Sequence, residues 1–213
     1  LKCGVARAPR RGGVGTSIFQ PSRAVGPMSL DLPLKGVRVA ELTIAIAGPS
    51  AGQVLGDYGA DVVKVEPPTG DTQRFMISGL GKGNPDPYKD SPHFYSVNRG
   101  KRSVVLDLKS EAGMKAMHAL LDRADVFLSN YRYEALRRLG LDADSLLQRH
   151  PRLVVCPMSG WGLEGPDAEK PVYDVAGFWA RSGAAAAHTG GDGFPPVLAP
   201  GFGDMATGLA AVD

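Results

Sequence analysis

The chain has 213 residues, 43% of them hydrophobic and 22% charged, a balance that excludes a disordered or fibrous polypeptide and supports a sizeable core. Lys2, Arg7, Arg10, Arg11 and Arg23 all precede the first acidic residue, Asp31, so the net charge of +2 hides a slightly acidic body. That body offers no general nucleic-acid footprint, which needs basic groups massed on one face, and no apolar run reaches the roughly 18 residues of a membrane span.

Residues 1–30 are rich in Arg, Gly, Pro and Ser, lack acidic side chains and contain no apolar stretch long enough for a secretory signal. The segment reads equally as an organelle transit peptide or as a stretch upstream of a natural start at Met28 in "PMSLDLPLKG", and it is kept apart from the folded portion expected over 31–213. The expected location is the cytoplasm, or the mitochondrion if this segment targets the chain there. Cys3 and Cys156 lie far apart, and Cys156 ends an apolar run where a buried reduced thiol is expected. No CxxC spacing occurs and His93, His118, His150 and His188 are scattered, so no metal is expected.

From Val37 onward, short β-branched runs alternate with longer amphipathic ones. "VRVAEL", "AGPSAGQVLGDYG" and "DVVKVE" predict strand, helix and strand; "RSVVLDL", "SEAGMKAMHALLDRA", "DVFLSN", "YEALRRLGLDADSLLQRH" and "RLVVCPMSG" continue the series. Met114, Met117, Leu120 and Leu121 fall at helix-face spacing and predict a core stripe. The fold class expected is α/β, a Rossmann-like mostly parallel sheet flanked by helices, with ligands at the carboxyl ends of the strands. Between "KVE" and "RSVVLDL" runs a long Gly/Pro-rich connection ending in Arg99, Lys101 and Arg102, of the kind that is usually functional or mobile. The chain starts at Leu1 and stops at Asp213 inside a helical pattern, which reads as a fragment.

Three chemistries compete. A nicotinamide site needs GxGxxG at the first strand-to-helix turn; "ELTIAIAGPSAGQ" lacks it, although Glu66 stands in the acidic position. A nucleophile elbow such as GxSxG is absent, and Ser159 in "SGWGLEGP" reads as a turn residue. Carboxylate chemistry on a thioester is the third, because "PGFGDMATG" sets Asp204 between glycines at the mouth of an apolar helix, where a substrate carbonyl can approach and backbone N–H groups are exposed. The plainer alternative is that Asp204 is an N-cap.

The runs "LKGVRVAELTIAIAGPSAGQVLGDYGADVVKVEPPTGD", "NRGKRSVVLDLK", "ADVFLSNYRYEALRRLGLD", "SGWGLEGP" and "GFGDMATGLAA" resemble, in order and spacing, the family III (CaiB/BaiF, formyl-CoA transferase-like) CoA-transferases. The resemblance covers nearly everything from Leu32 to Asp213 and implies that a C-terminal half is absent. It further implies an interlocked homodimer with a Rossmann-like large domain, and coenzyme A, as acyl-CoA, and a carboxylic acid as substrates. Asp204 maps to the active-site carboxylate, which in that family attacks the acyl-CoA carbonyl to give a mixed anhydride and then an aspartyl-CoA thioester. Matching positions to the family motifs implies CoA contacts at Leu106, Lys109, Asn130, Tyr131, Arg138, Leu139 and Tyr173.

Two departures narrow the substrate. Related α-methylacyl-CoA racemases carry His-Asp where this chain has Tyr173-Asp174, and a phenol with a pKa of about 10 is a poor proton shuttle. Ile46 replaces a polar Gln of the formate- and oxalate-handling members, which disfavours a small dicarboxylate. Phe178 and Trp179 lie in a segment that resembles the branch acting on larger acids, though plain core packing accounts for them more readily than substrate contact. A racemase of α-branched acyl-CoA and a non-catalytic CoA-binding fragment remain the rival functions.

Overall fold

The computed structural model describes residues 31–75, 91–190, 193 and 201–213. The basic segment 1–30, with Cys3 and Met28, and the middle of the Gly/Pro-rich connection lie outside the described residues. The chain divides into the units Leu1–Asp31 and Leu32–Asp213, and every element below belongs to the second.

Five strands build one sheet: β1 (Arg38–Leu42), β2 (Asp61–Glu66), β3 (Arg102–Val105), β4 (Val126–Ser129) and β5 (Val154–Pro157). All four pairings are parallel and the order is β3-β2-β1-β4-β5. This is the Rossmann-like layout expected. The order reverses between β1 and β4, a topological switch point where α/β sheets open a crevice beyond their strand ends.

Alternation along the strands sends side chains to two cores. Ala40, Leu42, Val65 and Phe127 face α3 (Glu111–Leu121), α4 (Tyr133–Leu139) and α5 (Ala143–Arg149), packing with Met117, Leu121, Leu136 and Leu146. On the other face, Val39, Val62 and Leu128 meet Ala51 of α1 (Ala47–Asp57) and Val212, just beyond α7 (Phe202–Ala210). The expected stripe on α3 holds, with Met117 and Leu121 fully buried and Met114 and Leu120 packed against the same cluster. Cys156 is half-buried, and burial pushes its thiol pKa up.

The single helical pattern read over 133–150 is two helices. Gly140, at φ 64°, ends α4 in the left-handed region that favours glycine, and Asp142 starts α5 by accepting from the Ser145 N–H at 3.2 Å. The Gly/Pro-rich connection also carries structure, a 3-10 turn at Thr72–Arg74 and α2 (Pro92–Asn98), the latter capped by Ser91. Four-residue α6 (Ala184–Ala187) follows a π-helical turn at Val175–Arg181. No helix of the described residues is long and apolar enough to cross a membrane.

The α1 face of the sheet buries charge. Glu41, Lys64 and Glu66 project from β1 and β2 and are at most 2% exposed. Lys64 Nζ lies 2.9 Å from Asp71 and 3.4 Å from Glu41, while Lys101 Nζ lies 2.8 Å from the other Glu41 oxygen. Arg74 grips Glu66 with two bonds of 2.7 Å, and against the upward push of burial these bonds leave the Glu66 carboxyl below its ordinary range. Burial pulls Lys101 down to about 8, opposed by the Glu41 charge. Glu41 Oε2 and Asp71 Oδ2 make no hydrogen bond by strict geometry and are balanced by the ammonium groups of Lys101 and Lys64, so the set is held by ion pairing as well as by hydrogen bonds.

Helix α1 closes over these ions because Gly52 has no side chain: a Cβ there would overlap Glu41 Oε2 and crowd Lys101 Nζ. Gly56, one turn on, has only Val62 Cγ2 at 3.7 Å from its built Cβ. Gly52→Ala is therefore expected to destabilise the fold by about 3 kcal/mol, through displacement of a buried ion pair. Gly56→Ala is expected to stabilise it by up to about 1 kcal/mol through helix propensity. Urea unfolding of the two variants checks the contrast, and equal effects would contradict the packing described.

Candidate active site

The site is assembled at the switch point, starting from the turn between β1 and α1. The Asn130 side chain, at the end of β4, accepts from Ile44 N–H at 2.9 Å and donates to Ile44 O at 2.8 Å, tying the ends of β1 and β4 together. Ser129 Oγ donates to Leu42 O at 2.8 Å and accepts from Tyr131 N–H at 3.2 Å. Ala45 follows with φ 62°, a left-handed backbone that side-chain-bearing residues rarely adopt, and its N–H donates to Asp71 Oδ1 at 3.3 Å. Lys64 secures the same turn by donating to Thr43 O at 2.9 Å. The buried ions thus reach the turn that presents Ile46.

Helix α7 is laid against α1 through glycines. A Cβ on Gly201 would stand 2.9 Å from Ile46 Cδ1; one on Gly208 would overlap Ser50 Oγ and stand 2.9 Å from Ala51 N and 3.0 Å from Ala47 O. Gly201, at φ 80°, is the N-cap residue and has no side chain to cap with. Asp204 is therefore the third residue inside the helix rather than its cap, which corrects the plainer expectation. The capping comes from elsewhere: Asp174 Oδ2 accepts from Gly201 N–H at 3.0 Å and Oδ1 accepts from Asp204 N–H at 3.1 Å.

Asp204 itself is half-buried, and among the described residues its carboxylate has no hydrogen-bond or ion-pair partner. Burial first, and then the neighbouring Asp174 charge, hold its pKa above the usual aspartate value. It sits in the first turn of α7, where the helix dipole favours negative charge.

The other residues expected to form the site follow three strand or helix ends. Leu106 and Lys109 come directly after β3, Asn130 and Tyr131 after β4, and Arg138 and Leu139 close α4. Leu106, Tyr131 and Leu139 are half-buried and pack against one cluster, the core beneath α3 and α4; burial pushes the Tyr131 phenol up. Lys109 and Arg138 are exposed, and among the described residues neither forms an ion pair. Asn130 is committed to Ile44. Tyr173 is 83% exposed. Asp204 lies on the opposite, α1 face with α7, so the structure divides these residues between the two sides of the sheet edge.

Half-buried Phe178 and Trp179 form an aromatic cluster with exposed Phe202, with ring centroids 5.4–5.8 Å apart. They pack on one another and on the start of α7, and neither belongs to the two core clusters. Sequence patterns did not single out Glu41, Lys64 and Asp71, and they gave Asp174 no role as the cap of α7 and Lys101 none in the buried ion set. Charged residues inside the otherwise apolar "VAEL" and "VVKVE" strands were the available signal for the buried ions. Nothing local marks Asp174, because its partners lie 27 and 30 residues away.

A parallel sheet with a switch point at β1 and β4, and a carboxylate without a partner among the described residues on the first turn of a glycine-seated helix, define the α/β architecture in which the candidate site lies. The chain belongs to CoA-transferase family III, whose family model matches residues 34–212. It is 38% identical over 174 residues to the cinnamoyl-CoA:phenyllactate CoA-transferase of Clostridium sporogenes, covering 82% of this chain and 42% of that protein. It is also 38% identical over 191 residues to the succinate–glutarate CoA-transferase of Agrobacterium fabrum, covering 84% and 45%. The crystal structure of Rv3272 from Mycobacterium tuberculosis superposes with a TM-score of 0.75 at 36% identity, over 84% of this chain and 49% of that one. The chain thus spans less than half the length of these relatives.

Seating of α7 on α1 through Gly208 is expected to govern the position of Asp204. Gly208→Ala should lower stability by about 2 kcal/mol, the usual effect of overpacking. Near-ultraviolet circular dichroism and thermal unfolding would register the displaced helix; an unchanged transition would show that α7 does not depend on this contact.

Proposed function

We propose that this protein moves CoA between an acyl-CoA thioester and a free carboxylic acid, with Asp204 as the covalent carboxylate, in the homodimer that the family resemblance implies. The observation that carries the reading is the half-buried Asp204 carboxylate, without a partner among the described residues, at the start of α7. A structural carboxylate in such a place would be hydrogen-bonded; one held bare and above its usual pKa is poised for attack.

The steps balance as follows. A carboxylate oxygen of Asp204 attacks the thioester carbonyl, the C–S bond breaks and CoA leaves as thiolate, giving a mixed anhydride. The thiolate attacks the Asp204 carbonyl carbon, expelling the donor acid as carboxylate and leaving an aspartyl-CoA thioester. The acceptor carboxylate attacks that thioester, the thiolate leaves again, and its return to the acceptor acyl carbon restores the Asp204 carboxylate. The exposed cations Lys109 and Arg138 suit the phosphates of CoA, where charge-assisted bonds are strongest. Leu106, Tyr131 and Leu139 offer an apolar shelf beside them, and Asn130 ties the ends of β1 and β4 next to Tyr131. Tyr173, one residue before the Asp174 cap, is exposed enough to meet the bound CoA.

The test uses the full-length gene product in D₂O with one branched acyl-CoA and a panel of carboxylic acids, followed by mass spectrometry. New thioesters without α-deuterium are expected. Asp204→Ala should reduce transfer by about 10³-fold or more while Kd for CoA stays within about threefold. Lys109→Ala should instead weaken CoA binding about tenfold or more, the usual effect of losing a charge-assisted bond. Deuterium at the α-carbon without a new thioester would replace this reading with racemisation, and transfer by Asp204→Ala would remove the nucleophile.

A further inference from the structure

Two carboxylates meet at the start of α7, and the steps above use one of them. In a capping box, the N-cap side chain takes the N–H of the third helical residue, and the carboxylate of that third residue reaches back to the N-cap N–H. Here the N-cap is Gly201, which has no side chain, and the third residue is Asp204. Both bonds of the box are instead made by Asp174, whose two oxygens take the N–H groups of Gly201 and Asp204. Gly203 keeps the space for it, since a Cβ there would overlap Asp174 Oδ1 and the Phe178 side chain.

We propose that Asp174 is a positioning residue for Asp204: by accepting both amides it fixes the backbone of the nucleophile, frees the Asp204 carboxylate from its capping bond, and sets a like charge beside it. The inference rests on the reading of Asp204 as nucleophile. Its consequence is chemical as well as steric. A neighbouring negative charge raises the basicity, and with it the nucleophilicity, of a carboxylate that stays ionised at neutral pH. The elements packed against α7 bring no competing charge among the described residues. Helix α1 carries only Asp57, at its far end and paired with Arg99; the π-helical turn carries Arg181, paired with Asp167; and α7 has no charged residue besides Asp204. Burial acts on Asp204 in the same direction as Asp174.

Asp174→Asn, Asp174→Ser and Asp174→Glu are compared with the parent in the full-length gene product, by kcat, KM for acyl-CoA and the pH dependence of both. Asp174→Asn and Asp174→Ser are expected to keep KM within about threefold and to lower kcat about 10- to 100-fold, the scale of a misplaced reacting group. Their acid limb should move to lower pH, because the like charge is gone, and Asp174→Glu should return it toward the parental position. A purely structural cap would lower Tm without moving that limb. If the neutral variants do not fold, Asp174→Glu decides: it keeps the charge while displacing the cap, so a lowered kcat with the parental acid limb is expected, and parental kcat overturns the proposal. Parental kcat and acid limb in folded Asp174→Asn overturn it as well. Transfer surviving in Asp204→Ala would reject the nucleophile itself, whereas an inactive Asp204→Ala beside an unaffected Asp174→Asn would reject only the role of Asp174.

Discussion

The carboxylate of Glu41, fully buried between Lys64 and Lys101, is the interaction on which the rest of this structure depends. Without it Lys101 would lose the carboxylate it pairs with and Lys64 would keep only Asp71, and a buried ion left unpaired costs several kcal/mol even after relaxation. Its presence dictates what covers it: α1 can cross there only as glycine at position 52, and Lys101 reaches on to Pro49 O at 2.7 Å in the first turn of that helix. Lys64 and Asp71 then hold the carbonyl of Thr43 and the N–H of Ala45. The left-handed backbone at Ala45 is thereby retained against its strain, which is the usual circumstance of such residues near functional sites.

From that turn a continuous set of contacts leads to Asp204, the proposed nucleophile. Ile46 meets Gly201, Ser50 and Ala51 meet Gly208, and α7 so seated carries Asp204 in its first turn. The glycines of "GFGDMATG" serve this chain of contacts rather than flexibility: Gly201 supplies the left-handed cap, Gly203 leaves room for Asp174, and Gly208 allows the close approach of two helices. The Asp204 carboxylate takes no part in capping α7, because Asp174 does the capping.

The strand and helix sequence was legible because alternation and amphipathic spacing survive in every core strand and in α3, where Met117 and Leu121 are buried as their spacing requires. Boundaries were less so. The pattern over 133–150 stays helical through Gly140 and Asp142, and only the left-handed backbone at Gly140 shows that it breaks there. Of the candidate site, Asp204 was conspicuous from its glycine neighbours, whereas its cap was not: a side chain serving a helix start 27 residues downstream leaves no local pattern. Lys64 and Glu41 were visible as charges in apolar strands, but their pairing depends on strand register, with Glu41 opposite Lys64, which a single strand does not display.

The central claim is that Asp204 becomes acylated during turnover. The most direct measurement incubates the full-length gene product with acyl-CoA and no acceptor acid, reduces it with borohydride and maps the peptides by mass spectrometry. An aspartyl thioester is reduced to homoserine, so the account predicts homoserine at position 204 in the acyl-CoA-treated sample and unmodified Asp204 without acyl-CoA. Active protein in which Asp204 stays intact, or in which another carboxylate is reduced instead, would contradict it.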